Sequence, residues 1–187
     1  MRLFDFFSDP NMSKHTNRLL IICGLSFAGK STLAREIGER FGYEEVDVDQ
    51  MKYSLYGLDA RDESLTREEW DRIYEETDKQ IVLLLKTGKN VMDASRNFSR
   101  EERSRIRTTL NRLGFETITI YVNTPETIAR QRWQENRKNP TRRDVTDSDF
   151  EDILRAMEPP TSEENPIILH YAEDIERWIA KNVGIFT

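Results

Sequence analysis

The chain has 187 residues, 33% of them charged, with a formal net charge of −6 and a mean hydropathy of −0.71. It is long enough for one domain with a sizeable core, too acidic to coat nucleic acid all over, and without an apolar run of membrane-spanning length. A single cysteine, Cys23, excludes an internal disulfide and suits a reducing compartment, the cytoplasm.

Residues 1–17 read as an N-terminal arm. Their apolar run is broken by Asp5 and Asp9-Pro10 and is too short for a signal peptide; Met12 is a second candidate start. The domain proper is expected over 18–187. Its first element is a buried strand, Leu19-Leu20-Ile21-Ile22-Cys23, followed at once by Gly24-Leu25-Ser26-Phe27-Ala28-Gly29-Lys30-Ser31 and a helix with Leu33, Ala34, Ile37 and Phe41 on one face. The loop fits G-x-x-x-x-G-K-[ST] at every fixed position, in the strand–loop–helix context that the motif requires.

The chemistry accounts for the residue types. Inward-turned N–H groups and a helix N-terminus make a nest for phosphate oxygens. Gly24 and Gly29 allow close backbone approach, and Ser26, Phe27, Ala28 and Thr32 complete the cradle for ATP. Lys30 is placed to reach the β- and γ-phosphates, and Ser31 to hold Mg²⁺.

Further along, Gly42-Tyr43 closes the first helix and a short second strand ends near Asp47. Met51 to Leu65 reads as irregular. Thr66-Arg67-Glu68-Glu69 is a capping box that opens a long helix, with an apolar stripe from Trp70 to Leu85 and a stop at Gly88. Asn90 to Ala94 reads as a third strand. A second capping box at Ser99 opens a helix to Gly114, and Glu116 to Val122 makes a fourth strand. Thr124-Pro125-Glu126 starts another helix with proline at its first position. A short helix begins near Asp147 or Ser148, Asn165 to His170 reads as a fifth strand, and a last helix spans Glu173 to Asn182. The alternation predicts an α/β fold with a mostly parallel sheet covered by helices on both faces.

In such sheets ligands gather at the C-terminal strand ends. After the second strand, Asp47 or Asp49 is placed to orient an acceptor hydroxyl and take its proton, and Lys52 to anchor an anionic acceptor. On the third strand, Asp93 stands where a carboxylate would serve the metal, with Ser95, Arg96 and Asn97 following. Between Arg130 and Arg143 lie six basic residues against one acid, Glu135. As a group they read as an arginine-rich lid over about 130–157, with a bend at Asn139-Pro140. The arginines of 100–112 scatter around their helix and read as a solvated surface.

With these residues in place, the chain resembles the P-loop kinases grouped with phage polynucleotide 5′-kinase, zeta toxins and chloramphenicol phosphotransferase, an AAA-type ATP-binding kinase family. The similarity runs from about Leu19 to Pro160 and rests on GLSFAGKST, VDVDQMK, NVMDASRN and the lid, in that order. It implies a P-loop NTPase fold with a five-stranded parallel sheet in the order 2-3-1-4-5. It also implies Asp49, rather than Asp47, as base with Lys52 as basic partner, and Ser95 and Arg96 facing the acceptor. Lys30, Arg132 and Arg137 would be the charge-neutralising catalytic residues, and Ser31 and Asp93 would serve Mg²⁺. Phe27-Ala28 departs from the small residues usual in this loop. The expected activity is transfer of the γ-phosphoryl of Mg-ATP to a hydroxyl, either a 5′-OH nucleic acid or a small metabolite. The alternative is an ATP-binding regulatory module; Asn-Lys-x-Asp and Asp-x-x-Gly, which mark guanine switches, do not occur.

Overall fold

A computed structural model describes residues 17–187 except 59 and 61; the expected arm therefore lies almost wholly outside the described residues. Five strands, β1 (Arg18–Cys23), β2 (Glu44–Glu45), β3 (Val91–Asp93), β4 (Glu116–Asn123) and β5 (Ile167–His170), form one parallel sheet in the order β2-β3-β1-β4-β5. Seven helices cover it: α1 (Lys30–Phe41), α2 (Val48–Tyr56), α3 (Arg67–Lys86), α4 (Arg100–Arg112), α5 (Glu126–Lys138), α6 (Asp147–Ala156) and α7 (Ile175–Lys181).

The period of two along β1 divides the core between the two faces of the sheet. Leu20 and Ile22 pack with Leu33, Ala34 and Ile37 of α1 and with Trp178 and Ile179 of α7. Leu19 and Ile21 point the other way, against Ile81 and Leu85 of α3 and Ile106 and Leu110 of α4. A strand apolar on both faces suits this central position, and each such side chain contributes about 1.5–3 kcal/mol by burial. Both expected capping boxes form, Thr66 with Glu69 and Ser99 with Glu102.

Three expectations are corrected. The irregular stretch from Met51 opens instead with α2, because Asp47 caps the helix by accepting from the Gln50 N–H (3.0 Å) and Val48 and Lys52 form its buried side. Pro125 occupies the N-cap position of α5 rather than its first turn. On α4, Arg103 is fully buried: its fork grips Glu164 (2.7 and 2.9 Å), and its remaining nitrogen donates to the carbonyls of Asn97 and Phe98. This strap ties the end of β3 to the segment before β5, so the α4 arginines are not all solvated surface.

Candidate active site

The loop between β1 and α1 is built by two glycines. Gly24 has φ 145°, and a Cβ there would stand 2.6 Å from the carbonyl oxygen of Val122 on β4, which no other residue tolerates. Gly29 (φ 110°) turns the chain into α1, whose first N–H groups have no partner within the helix. Between them Phe27 has φ 62°, a left-handed conformation that costs a residue with a side chain about 1–2 kcal/mol. The strain is held from outside: Thr124 Oγ1 donates to the Ala28 carbonyl (2.8 Å), and Arg132 to the carbonyls of Phe27 (3.2 Å) and Ala28 (3.1 Å).

Lys30 points back under this loop, 8% exposed, and donates to the carbonyls of Gly24 (2.9 Å) and Leu25 (3.0 Å). Burial first, and then the nearby charge of Arg142, pushes its pKa down to about 8. Phosphate binding favours the charged ammonium, so above pH 8 the site must take up a proton to bind. Nucleotide affinity is therefore expected to weaken roughly tenfold between pH 7.5 and 9. Titration calorimetry across that range checks it, and Lys30→Arg, charged throughout, should flatten the profile; a flat wild-type profile would contradict it.

The loop opens on a cavity of about 830 Å³, which Ser26 to Thr32 line on one side. Such a volume suits a nucleotide together with a small second substrate. Its wall also carries Glu45, Asp47 and Asp49 from the end of β2 and the start of α2, with Ser95 beyond β3. Asp49 is half exposed, and its carboxylate accepts from Lys52 Nζ at 2.9 Å. Burial first, and then the charges of neighbouring carboxylates including Asp93, raise the pKa values of Asp47 and Glu45, against the lowering effect of backbone N–H groups on Asp47.

Behind this wall lie three residues that sequence reasoning placed at the ligands, Lys52 and Arg96 at the substrate and Asp93 at the metal. Lys52 is 1% exposed, with its ammonium shared between Asp49 and Asp62. Burial opposes its charge, but these two carboxylates outweigh that and raise its pKa. Arg96 is 3% exposed and held by Asp93 (2.7 Å) and Asp78 (2.6 Å). Asp93 is also buried. One of its oxygens accepts from Ser95 N (3.1 Å) and Oγ (3.0 Å), the other from Arg96 Nε. Ser95 Oγ lies 3.0 Å from the Val48 N–H as well, so this network fixes the first turn of α2, where Asp49 stands. None of the three borders the cavity.

The lid divides its arginines. Arg137 lies over the Trp133 ring (4.3 Å) and pairs with Asp144 and Asp147 within the lid, away from the cavity. Arg142 borders the cavity, with its guanidinium 4.4 Å from the Phe27 ring centroid and its charge felt at Lys30, Asp47 and Asp49. Sequence reasoning placed Arg142 in the basic cluster of the lid but singled out Arg132 and Arg137 within it. It missed Glu45, and also the turn after β5, where Tyr171 faces Arg132 at 5.8 Å.

The donor set fits a hard cation carried on phosphate oxygens. Ser31 offers a hydroxyl at the cavity, and Asp47 and Glu45 offer crowded carboxylates, while Asp93 has both oxygens taken. Among the described residues no three acids, histidines or cysteines are grouped as a metal cage, and Mg²⁺ bound with a triphosphate needs only one or two protein donors.

Comparison with known proteins follows the same lines. A sugar kinase from Janibacter sp. HTCC2649 superposes with a TM-score of 0.67 at 17% identity, over 90% of this chain and 93% of that one. Kti12 of Chaetomium thermophilum, solved with ADP-AlF3, gives 0.71 at 14% identity over 90% and 99%. A chain of the Pnkp1/Rnl/Hen1 RNA repair complex gives 0.63 at 21% over 80% of this chain and 46% of that one. No curated protein matches the sequence. A family model described as an AAA domain matches residues 19–160, and the chain belongs to that family, with the P-loop kinase fold.

Proposed function

We propose that this protein is a phosphotransferase that moves the γ-phosphoryl group of Mg-ATP to a hydroxyl acceptor. The observation that carries this reading is the convergence of Lys30, Arg142 and Asp49 on one cavity. A cation on the phosphates needs one or two of the lining carboxylates, and Asp49 is then left for an acceptor hydroxyl.

In this reading the triphosphate lies along residues 24–32, and the nucleobase lies toward the part of the cavity lined by Tyr171. Mg²⁺ would be held by Ser31 with Asp47 or Glu45, and would offset phosphate charge when bound; Asp93, buried with both oxygens taken, would serve it only from behind. Asp49 accepts the hydrogen bond of the acceptor hydroxyl and orients its oxygen in line with the γ-phosphorus. The new oxygen–phosphorus bond forms as the bond to the β–γ bridging oxygen breaks. The hydroxyl proton passes late to Asp49, and the bridging oxygen leaves on ADP. Lys30 and Arg142 neutralise the charge that spreads over the transferring oxygens. Lys52 acts by holding Asp49 rather than by touching the acceptor, and Arg96 by holding Asp93.

The layout is polynucleotide-kinase-like, but the wall favours a small acceptor without phosphates over a 5′-OH nucleic acid. Glu45, Asp47 and Asp49 face the acceptor, and Lys52 and Arg96 are spent on other carboxylates. Labelled γ-ATP should therefore transfer to neutral or amine-bearing alcohols about tenfold faster than to 5′-OH oligonucleotides or nucleotides in a matched panel. Faster labelling of oligonucleotides would reverse the acceptor class. ATP binding with no transfer to any member, together with nucleotide-dependent capture of a partner, is the outcome expected of a regulatory module instead.

A further inference from the structure

Phe27 stands in the phosphate loop and borders the cavity, yet its side chain also packs into the lid. The backbone at this residue is left-handed, and its buried ring joins Ala129 and Trp133 of α5 and Phe150 of α6 in a separate apolar cluster. Trp133 and Phe150 stack within it, with centroids 4.3 Å apart and planes 6° from parallel. Phe27 therefore belongs to the loop by its backbone and to the lid by its side chain. Its carbonyl is also held from the lid, by Arg132 (3.2 Å).

The Phe27 ring carries the Arg142 guanidinium at 4.4 Å. Arg142 has no regular secondary structure to fix it, because it follows the break at Asn139-Pro140. Its backbone is instead clamped by the buried side chain of Asn136, which accepts from the Arg142 N–H (3.1 Å) and donates to the Arg142 carbonyl (3.1 Å). Asn136 fixes where the residue starts, and the aromatic face of Phe27 fixes where its charge ends. A cation over a ring is held by the ring's electron-rich face, which an aliphatic side chain of similar bulk lacks.

We propose that Phe27 is a positioning residue, which locks the phosphate loop to the lid and aims Arg142 at the terminal phosphate of the bound nucleotide. This rests on the phosphotransferase reading of the same cavity. It also gives the bulky loop residue a purpose: the ring that would crowd a phosphate cradle serves as a platform beside it.

The test is a double-mutant cycle on the full chain, read as the ratio of affinities for a non-hydrolysable magnesium-ATP analogue and for ADP. Phe27→Leu keeps apolar bulk in the lid cluster and removes the aromatic face; Phe27→Tyr keeps the face. Phe27→Leu and Arg142→Ala are each expected to lower the ratio about tenfold, their combination no further, and Phe27→Tyr hardly at all. An unchanged ratio in Phe27→Leu, or losses that multiply in the double variant, would overturn the proposal while leaving the phosphotransferase reading intact. Wild-type protein that binds neither nucleotide overturns both. Because the ratio compares two ligands on one protein, general loosening of the fold, which weakens both, does not move it.

Discussion

Arg142→Ala is expected to slow phosphoryl transfer by about 10³-fold or more, while Arg137→Ala slows it by less than about fivefold. The contrast follows from what each guanidinium touches. Arg137 pairs with Asp144 and Asp147 and lies on the Trp133 ring, all within the lid. Removing it costs an exposed ion pair and some packing, with little effect at the phosphates. Arg142 stands at the cavity, close enough to Lys30 for the two cations to repel, and to Asp49 for attraction. In the proposed reaction the transferring group passes between Lys30 and Asp49, and the charge of Arg142 is felt at both. A cation there gains most when charge moves onto the equatorial oxygens, so the loss should fall on kcat more than on KM. Steady-state rates of both variants at saturating ATP decide it, and a large loss in Arg137→Ala with none in Arg142→Ala would return the role to Arg137.

The exchange of one lid arginine for another shows where the sequence stops being informative. Local rules carried the frame: alternating strands and helices, two capping boxes and the loop glycines each act over a few residues and each appears as expected. The sheet order followed from the resemblance. Arg132 sits on a helix, and its direction follows from that helix. Arg142 lies beyond a break, where an Asn136 side chain decides the path, and no periodicity reports that.

Buried charges were hidden for a related reason. Lys52 forms the core side of α2, and a lysine at a core position carries no apolar signal, so the helix itself was not recognised. Arg96 lies three residues from Asp93, near enough to expect a pair. Its second partner, Asp78, comes from the middle of α3, 18 residues earlier. Only the packing of α3 against the sheet brings it there. Residues read as reaching for substrate thus turn out to support the cavity wall, Lys52 by holding Asp49 and Arg96 by holding Asp93, which in turn holds Ser95. The distinction rests on long-range partners, since any of these side chains is long enough to reach a ligand.

Asp49→Asn is expected to reduce transfer by about 10²–10⁴-fold with ATP affinity within about threefold of wild type. The amide keeps the size of the side chain and can still accept from Lys52, so α2 and its buried lysine should stay in place. What it loses is the charge that attracts the acceptor proton and the site on which that proton rests. Asp47→Asn is the matched control. Asp47 caps α2 by accepting from the Gln50 N–H, and asparagine caps a helix about equally well. The two carboxylates stand two residues apart on the same wall and both lie near Arg142, so a simple loss of negative charge would affect both variants alike. A base at Asp49 makes the loss in Asp49→Asn much the larger, because asparagine at 47 keeps both the helix cap and an oxygen for the cation. Single-turnover transfer separates chemistry from binding in each. Equal transfer by Asp49→Asn and wild type would remove Asp49 from the mechanism. A loss confined to Asp47→Asn would move the base to the helix cap, and equal losses in both would mark the wall as an electrostatic surface with no single proton acceptor.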